Sequence, residues 1–164
     1  MGYMITTRGI EVNPYQISVI RQLEPPNHPK EVQKLTRIIA TLNRFVSRSA
    51  DRCRPFYQLL KKWKGFLWTE ECDEAFKDLK AYLASPLILS RPEPGEDLYM
   101  YLVISDHVVI SVLIWQHKGI QRPIHYLSKT LVDVETQYLP LEKMVLALVH
   151  ATRKLPHYFQ AHIV

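Results

Sequence analysis

Three runs, LYMYLVI (98–104), VVISVLIW (108–115) and RPIHYLS (122–128), set the character of the second half of this 164-residue chain. Each is dense in β-branched and aromatic residues, as a half-buried pleated surface requires. Lys118-Gly119 separates the second run from the third as a turn. Together they predict an antiparallel three-stranded meander.

On either side the period is helical. Downstream, a helix from about Pro140 to Leu155 is expected to turn Leu141, Val145, Leu148 and Val149 inward, with Pro156 ending it. Upstream, Arg91-Pro92-Glu93-Pro94-Gly95-Glu96 has the composition of a linker. Before it, Thr69 caps a helix whose first turn carries Glu70, Glu71 and Asp73, suited to the positive end of the dipole, and Ser85-Pro86 closes it. Its buried stripe is Cys72, Ala75, Phe76, Leu79 and Leu83. A helical stretch from about Ala50 to Lys62 is expected to be bent or interrupted at Pro55. A longer one, from Pro29 to Ser47, repeats Val32, Leu35, Ile38, Ile39, Leu42, Phe45 and Val46 at helical spacing. Asn13-Pro14 opens a short helix, and Tyr3–Thr7 with Ile10–Val12 flank Arg8-Gly9 as a small hairpin.

The charge is unevenly distributed. Residues 1–68 hold 12 Lys and Arg against 4 Asp and Glu; residues 69–164 hold the other 9 basic and 12 acidic residues. A basic front half suits a polyanionic partner, and equally suits a solvated surface. No stretch reaches the roughly 20 apolar residues of a membrane span, so no membrane partner is expected. The first residues lack a signal-peptide pattern, and Gly2 alone is a weak myristoylation signal. Two cysteines, Cys53 and Cys72, make neither a disulfide framework nor a zinc site and read as intracellular thiols, whether in cytoplasm or nucleus.

The long helix carries the most informative pattern. At about 100° per residue, Lys30, Lys34, Arg37, Arg44 and Arg48 fall within an arc of roughly 80° beside the apolar stripe. Cations in a row on one face match a phosphate backbone. Arg54, Lys61 and Lys62 continue the basic character, with Arg52 and Lys64. The interleaved aromatics, Phe45, Phe56, Tyr57, Trp63, Phe66 and Trp68, read as core residues before base-stacking ones. The seven histidines form no metal motif, Ser105-Asp106-His107 are mere neighbours in sequence, and there is no Gly-rich phosphate loop or paired-aspartate motif.

The stretch FLWTEECDEAFKDLK (66–80) resembles the entry into the RNase H-like region of gypsy-type LTR retrotransposon reverse transcriptases. GYMITTRGIEVNP (2–14) resembles the palm-to-thumb junction of the same polyproteins. KLT (34–36), LNRF (42–45), PFYQLLKK (55–62), PIHYLSK (123–129), LEK (141–143) and ATRKLPHYF (151–159) extend the likeness over the whole chain, with wording closest to plant members. The resemblance implies that the polymerase aspartates lie before this sequence. It places Val103 where the RNase H-like part has a metal-binding aspartate, and Glu142 at the helix-borne catalytic glutamate as a possible relic. The later aspartates fall beyond Val164. Arg37 stands where many relatives have glycine.

The expected class is α+β: a palm hairpin and helical thumb over 1–68, then a truncated, degenerate RNase H-like or connection domain over 69–164. The expected role is non-catalytic: gripping an RNA–DNA or DNA duplex and joining the polymerase to the rest of the Pol polyprotein. No cofactor or metal is expected in this chain, magnesium belonging to the intact parent enzyme. The rivals are an active RNase H-type nuclease, argued from Glu142, and a protein-interaction scaffold or relic.

Overall fold

The computed structural model describes residues 3–61 and 65–164. Its contacts divide the chain into two units, residues 1–43 with 51–88, and residues 44–50 with 89–164.

The first unit begins with the hairpin Tyr3–Thr6 (β1) and Gly9–Val12 (β2), paired antiparallel with Ile5 opposite Ile10. Gly9 follows the turn at φ 135°, a conformation that a side chain would strain. The Asn13 side chain then accepts the Tyr15 N–H at 2.9 Å and Pro14 takes the first helical position of Pro14–Gln22 (α1). Pro29–Leu42 (α2) is capped by His28, whose Nδ1 accepts from the Glu31 N–H at 3.2 Å. It buries Val32, Leu35, Thr36, Ile39 and Leu42, a stripe at three- and four-residue intervals.

The stretch from Ala50 is interrupted at Pro55, the second of the two expected outcomes: Ser49–Arg52 (α3) and Arg54–Lys61 (α4) are separate helices, because Pro55 cannot continue a helix and sits in the first turn of the next. Trp63, Lys62 and Lys64, read above as aromatic and basic, lie outside the described residues. Thr69 accepts the Cys72 N–H at 3.3 Å and starts Glu70–Ala84 (α5), which packs against α1 and α4. Its Phe76 meets Trp68 edge-on at 6.0 Å, and Trp68 stacks on Phe56 at 5.7 Å. A two-residue strand, Ile88–Leu89 (β3), follows β2 in the small sheet.

The second unit is the meander. Leu98–Ile104 (β4), Val108–His117 (β5) and Ile120–Thr130 (β6) lie in that order, all antiparallel, with Leu98 opposite Trp115 and Val108 opposite Thr130. Lys118 and Gly119 both have positive φ, 50° and 78°, the two-residue turn that matches strand twist. One face of the sheet builds a core from Leu98, Leu113, Ile124, Leu127, Ala151 and Leu155. Beside it Val109, Leu131 and Ala147 gather Leu102, Ile104 and Leu146. The other face packs Val108 and Ile110 on Ala50.

After the sheet come Asp133–Thr136 (α6), Pro140–Lys154 (α7) and Pro156–Ala161 (α8). Pro156 ends one helix and opens the next. The inward side of α7 is not the expected one: Lys143, Ala147 and Ala151 are buried, while Leu141, Val145, Leu148 and Val149 are exposed. Small residues let the helix axis approach the sheet, so the alanines face it and the bulky side chains face out.

Candidate nucleic-acid interface

The basic stripe divides where α2 ends. Lys30, Lys34 and Arg37 are exposed and fall within about 60° on one side of α2, away from its buried residues. The helix stops at Leu42 and passes into a 3-10 turn, Asn43–Phe45, where the expectation had it run to Ser47. Phe45 and Val46 are buried beyond the end of the helix, and Arg48 turns the chain at φ 56°. Arg44 and Arg48 therefore leave the face of α2 and belong to the second unit. Arg44 is half-buried, its guanidinium 5.7 Å from the centroid of the Phe45 ring, whereas Arg48 is exposed.

Arg54 and Lys61, at the two ends of α4, are exposed in the first unit. Lys62 lies outside the described residues. Arg52, named among the cations, is taken: it ion-pairs with Asp78 and lies over the Tyr82 ring at 4.4 Å. The first unit also has a cleft of about 330 Å³ lined by Arg8, Arg21, Ser18 and Ser85. No local pattern in the sequence marks it. Within it Arg8, in the turn of the hairpin, is ion-paired with Glu11 at 3.1 Å.

Val103 and Glu142 are the two positions that the resemblance sets at a nuclease site. Val103 alternates with Leu102 and Ile104, which pack toward α7, so its side chain is on the other face of β4 and is exposed. Glu142 accepts the Leu139 N–H at 2.8 Å. No group of three or more His, Cys, Asp or Glu side chains that could hold a metal ion occurs among the described residues. The residues present do not fit the carboxylate cluster that a magnesium pair requires. His125, in β6, is half-buried, and burial together with the Arg44 cation lowers its pKa to about 4.

Residues 68–164 match the model of the RNase H-like domain found in reverse transcriptase. The chain belongs to that family. Its similarity runs beyond the matched segment. It is 29% identical over 160 residues to the retrovirus-related Pol polyprotein from transposon 297 of Drosophila melanogaster, covering 96% of this chain and 15% of that one. To the transposon Tf2-3 polyprotein of Schizosaccharomyces pombe it is 24% identical over 164 residues, covering 99% and 12%. The chain thus spans less than a fifth of the length of these relatives. Among solved structures, the foamy viral protease-reverse transcriptase in complex with RNA/DNA hybrid superposes with a TM-score of 0.80 at 24% identity, covering 94% of this chain and 21% of the other. The dsDNA complex of that protein gives 0.80 at 23% identity, covering 96% and 33%.

The chain is a retrotransposon-type reverse transcriptase region with the fold of an RNase H-like segment joined to a helical part. The family segment opens at residue 68, so it includes α5, although α5 packs within the first unit. No helix among the described residues is long and apolar enough to cross a membrane.

Proposed function

We propose that this region grips duplex nucleic acid without sequence preference and performs no cleavage itself. The observation that carries the reading is the exposed row Lys30, Lys34 and Arg37 on one side of α2, with Arg54 and Lys61 exposed on α4 of the same unit. Successive cations on a rigid helix neutralise successive phosphates and release their counterions. The superposing foamy viral enzymes are bound to RNA/DNA hybrid and to dsDNA, which supports a duplex as the ligand. The connection to flanking polyprotein domains rests on the small share of each relative that the chain spans.

The non-catalytic half of the reading rests on residue chemistry. Val103 supplies no oxygen, and Glu142 is committed to the first turn of α7. The test is fluorescence anisotropy with RNA–DNA and DNA duplexes of unrelated sequence over a range of salt. Equal affinity across sequences and a steep fall with salt support the grip. A strong preference for one sequence, or no binding at low salt, contradicts it.

A further inference from the structure

Helix α7 is apolar on two opposite sides. Inward, Ala147 and Ala151 lie against the sheet, and Ser111 Oγ donates to the Ala147 carbonyl at 3.3 Å. Outward, Leu141 is 71% exposed and Val145 53%, with Met144, Leu148 and Val149 also exposed. A helix that is apolar all round belongs inside a stack of layers, and a contiguous exposed apolar patch marks an interaction site. Leu141, Val145, Leu148 and Thr152 follow a four-three-four spacing, the seam of a two-helix coiled coil.

The charges beside the seam decide what covers it. Glu142 and Arg153 are eleven residues apart, which is three turns and about 20°. Both therefore stand on the same flank, about 16 Å apart along the axis. A two-fold axis crossing the helix between Ala147 and Leu148 reverses its direction and preserves that flank. It sets Glu142 of each copy opposite Arg153 of the other. A parallel pair would exchange the flanks and set the two Glu142 at one level on opposite sides, away from either Arg153, so the complementarity is specific to one symmetric arrangement.

We propose that two copies of this chain pair antiparallel through the outward face of α7. Leu148 then meets its own symmetry mate at the centre, with Val145 beside it, and the Glu142–Arg153 pairs close both ends. The exposed Val132, Val134 and Leu139 just before α7 extend the apolar surface toward what a stable interface buries, about 800 Å² a side.

Sedimentation equilibrium on the full chain tests this. We expect a dimer at micromolar concentration, a dissociation constant at least tenfold weaker for Val145→Lys, and a weaker one for Arg153→Glu. Both changes are at exposed positions, so circular dichroism should show an unaltered far-UV spectrum, and the melts should coincide only below the parent's dissociation constant. Mild oxidation gives the orientation, because the native Cys53 and Cys72 are buried. Leu148→Cys should cross-link to its own copy. Leu141→Cys should not, since antiparallel pairing holds its two copies about 20 Å apart. A folded chain that stays monomeric up to about 100 μM overturns the proposal and assigns the stripe to a different polypeptide segment. Self-cross-linking of Leu141→Cys in preference to Leu148→Cys overturns it as well.

Discussion

The Glu142 carboxylate accepts the backbone N–H of Leu139 at 2.8 Å, closing the first turn of α7 over the Pro140 that begins it. This is the reach-back half of a capping box, and its position at the helix N-terminus also favours a negative charge. A carboxylate so used acts on helix stability. Glu142→Ala should cost about 1 kcal/mol in urea unfolding, while Glu142→Gln should cost less because the amide oxygen can still accept.

The same relationship bears on cleavage. Labelled RNA–DNA hybrid incubated with magnesium or manganese should remain intact in the presence of this chain. Two-metal hydrolysis needs carboxylates that bridge ions about 4 Å apart, and the partner position is Val103. Cleavage by the parent chain that Glu142→Gln loses would assign Glu142 a catalytic role and overturn the non-catalytic reading.

His125 makes stability depend on pH. Burial, with a contribution from Arg44, lowers its pKa from an ordinary 6.5 to about 4 in the folded chain. Its Nδ1 is buried without a hydrogen-bond partner among the described residues. Between those two values the unfolded chain binds a proton that the folded chain refuses. The stabilisation is therefore present above pH 6.5 and lost as pH falls toward 4, with a slope of at most about 1.4 kcal/mol per pH unit. Urea midpoints across that window should fall for the parent and flatten for His125→Leu. Parallel curves would place the dependence in another group.

The Cys53 thiol is fully buried, and burial pushes its pKa up to about 12 against a smaller opposing effect of Arg52. Neutral and inaccessible, it should resist alkylation near pH 8 in the folded chain. Phe56, fully buried and stacked on Trp68, is the neighbouring anchor. Phe56→Ala should cost about 3–5 kcal/mol and raise the labelling rate by roughly two to four orders of magnitude through opening of the unit. Equal labelling of parent and variant would show that Cys53 is reached by a local route.

Several elements were legible because one signal dominated each. Asn13-Pro14 and Thr69 announced helix starts whose side-chain caps are present, and the β-branched run Leu98–Ile104 is a strand over those same residues. Helix α7 was misread for a physical reason: its period reports an apolar stripe but not which layer lies against it, and the alanines won the sheet. A wheel extended past Leu42 puts Arg44 and Arg48 on α2, but the helix ends there in a 3-10 turn and Arg48 turns the chain at φ 56°. Lys30, Lys34 and Arg37 lie before that break, so the candidate interface was legible as far as the helix itself extends. The cleft at Arg8 and Arg21 depends on how the hairpin, α1 and the end of α5 assemble, which no local period encodes.

The salt dependence of duplex binding, compared between the parent chain and Lys30→Ala/Lys34→Ala/Arg37→Ala, tests the central claim most directly. Each neutralised phosphate contributes about 0.9 to the slope of log affinity against log salt, so losing three contacts should flatten it by about 2.7. The account predicts weaker binding to every duplex alike, that flatter slope, and an unchanged thermal melt, because all three side chains are exposed. A triple variant that binds as tightly as the parent at low salt, with the same slope, would show that the row on α2 is only a solvated face.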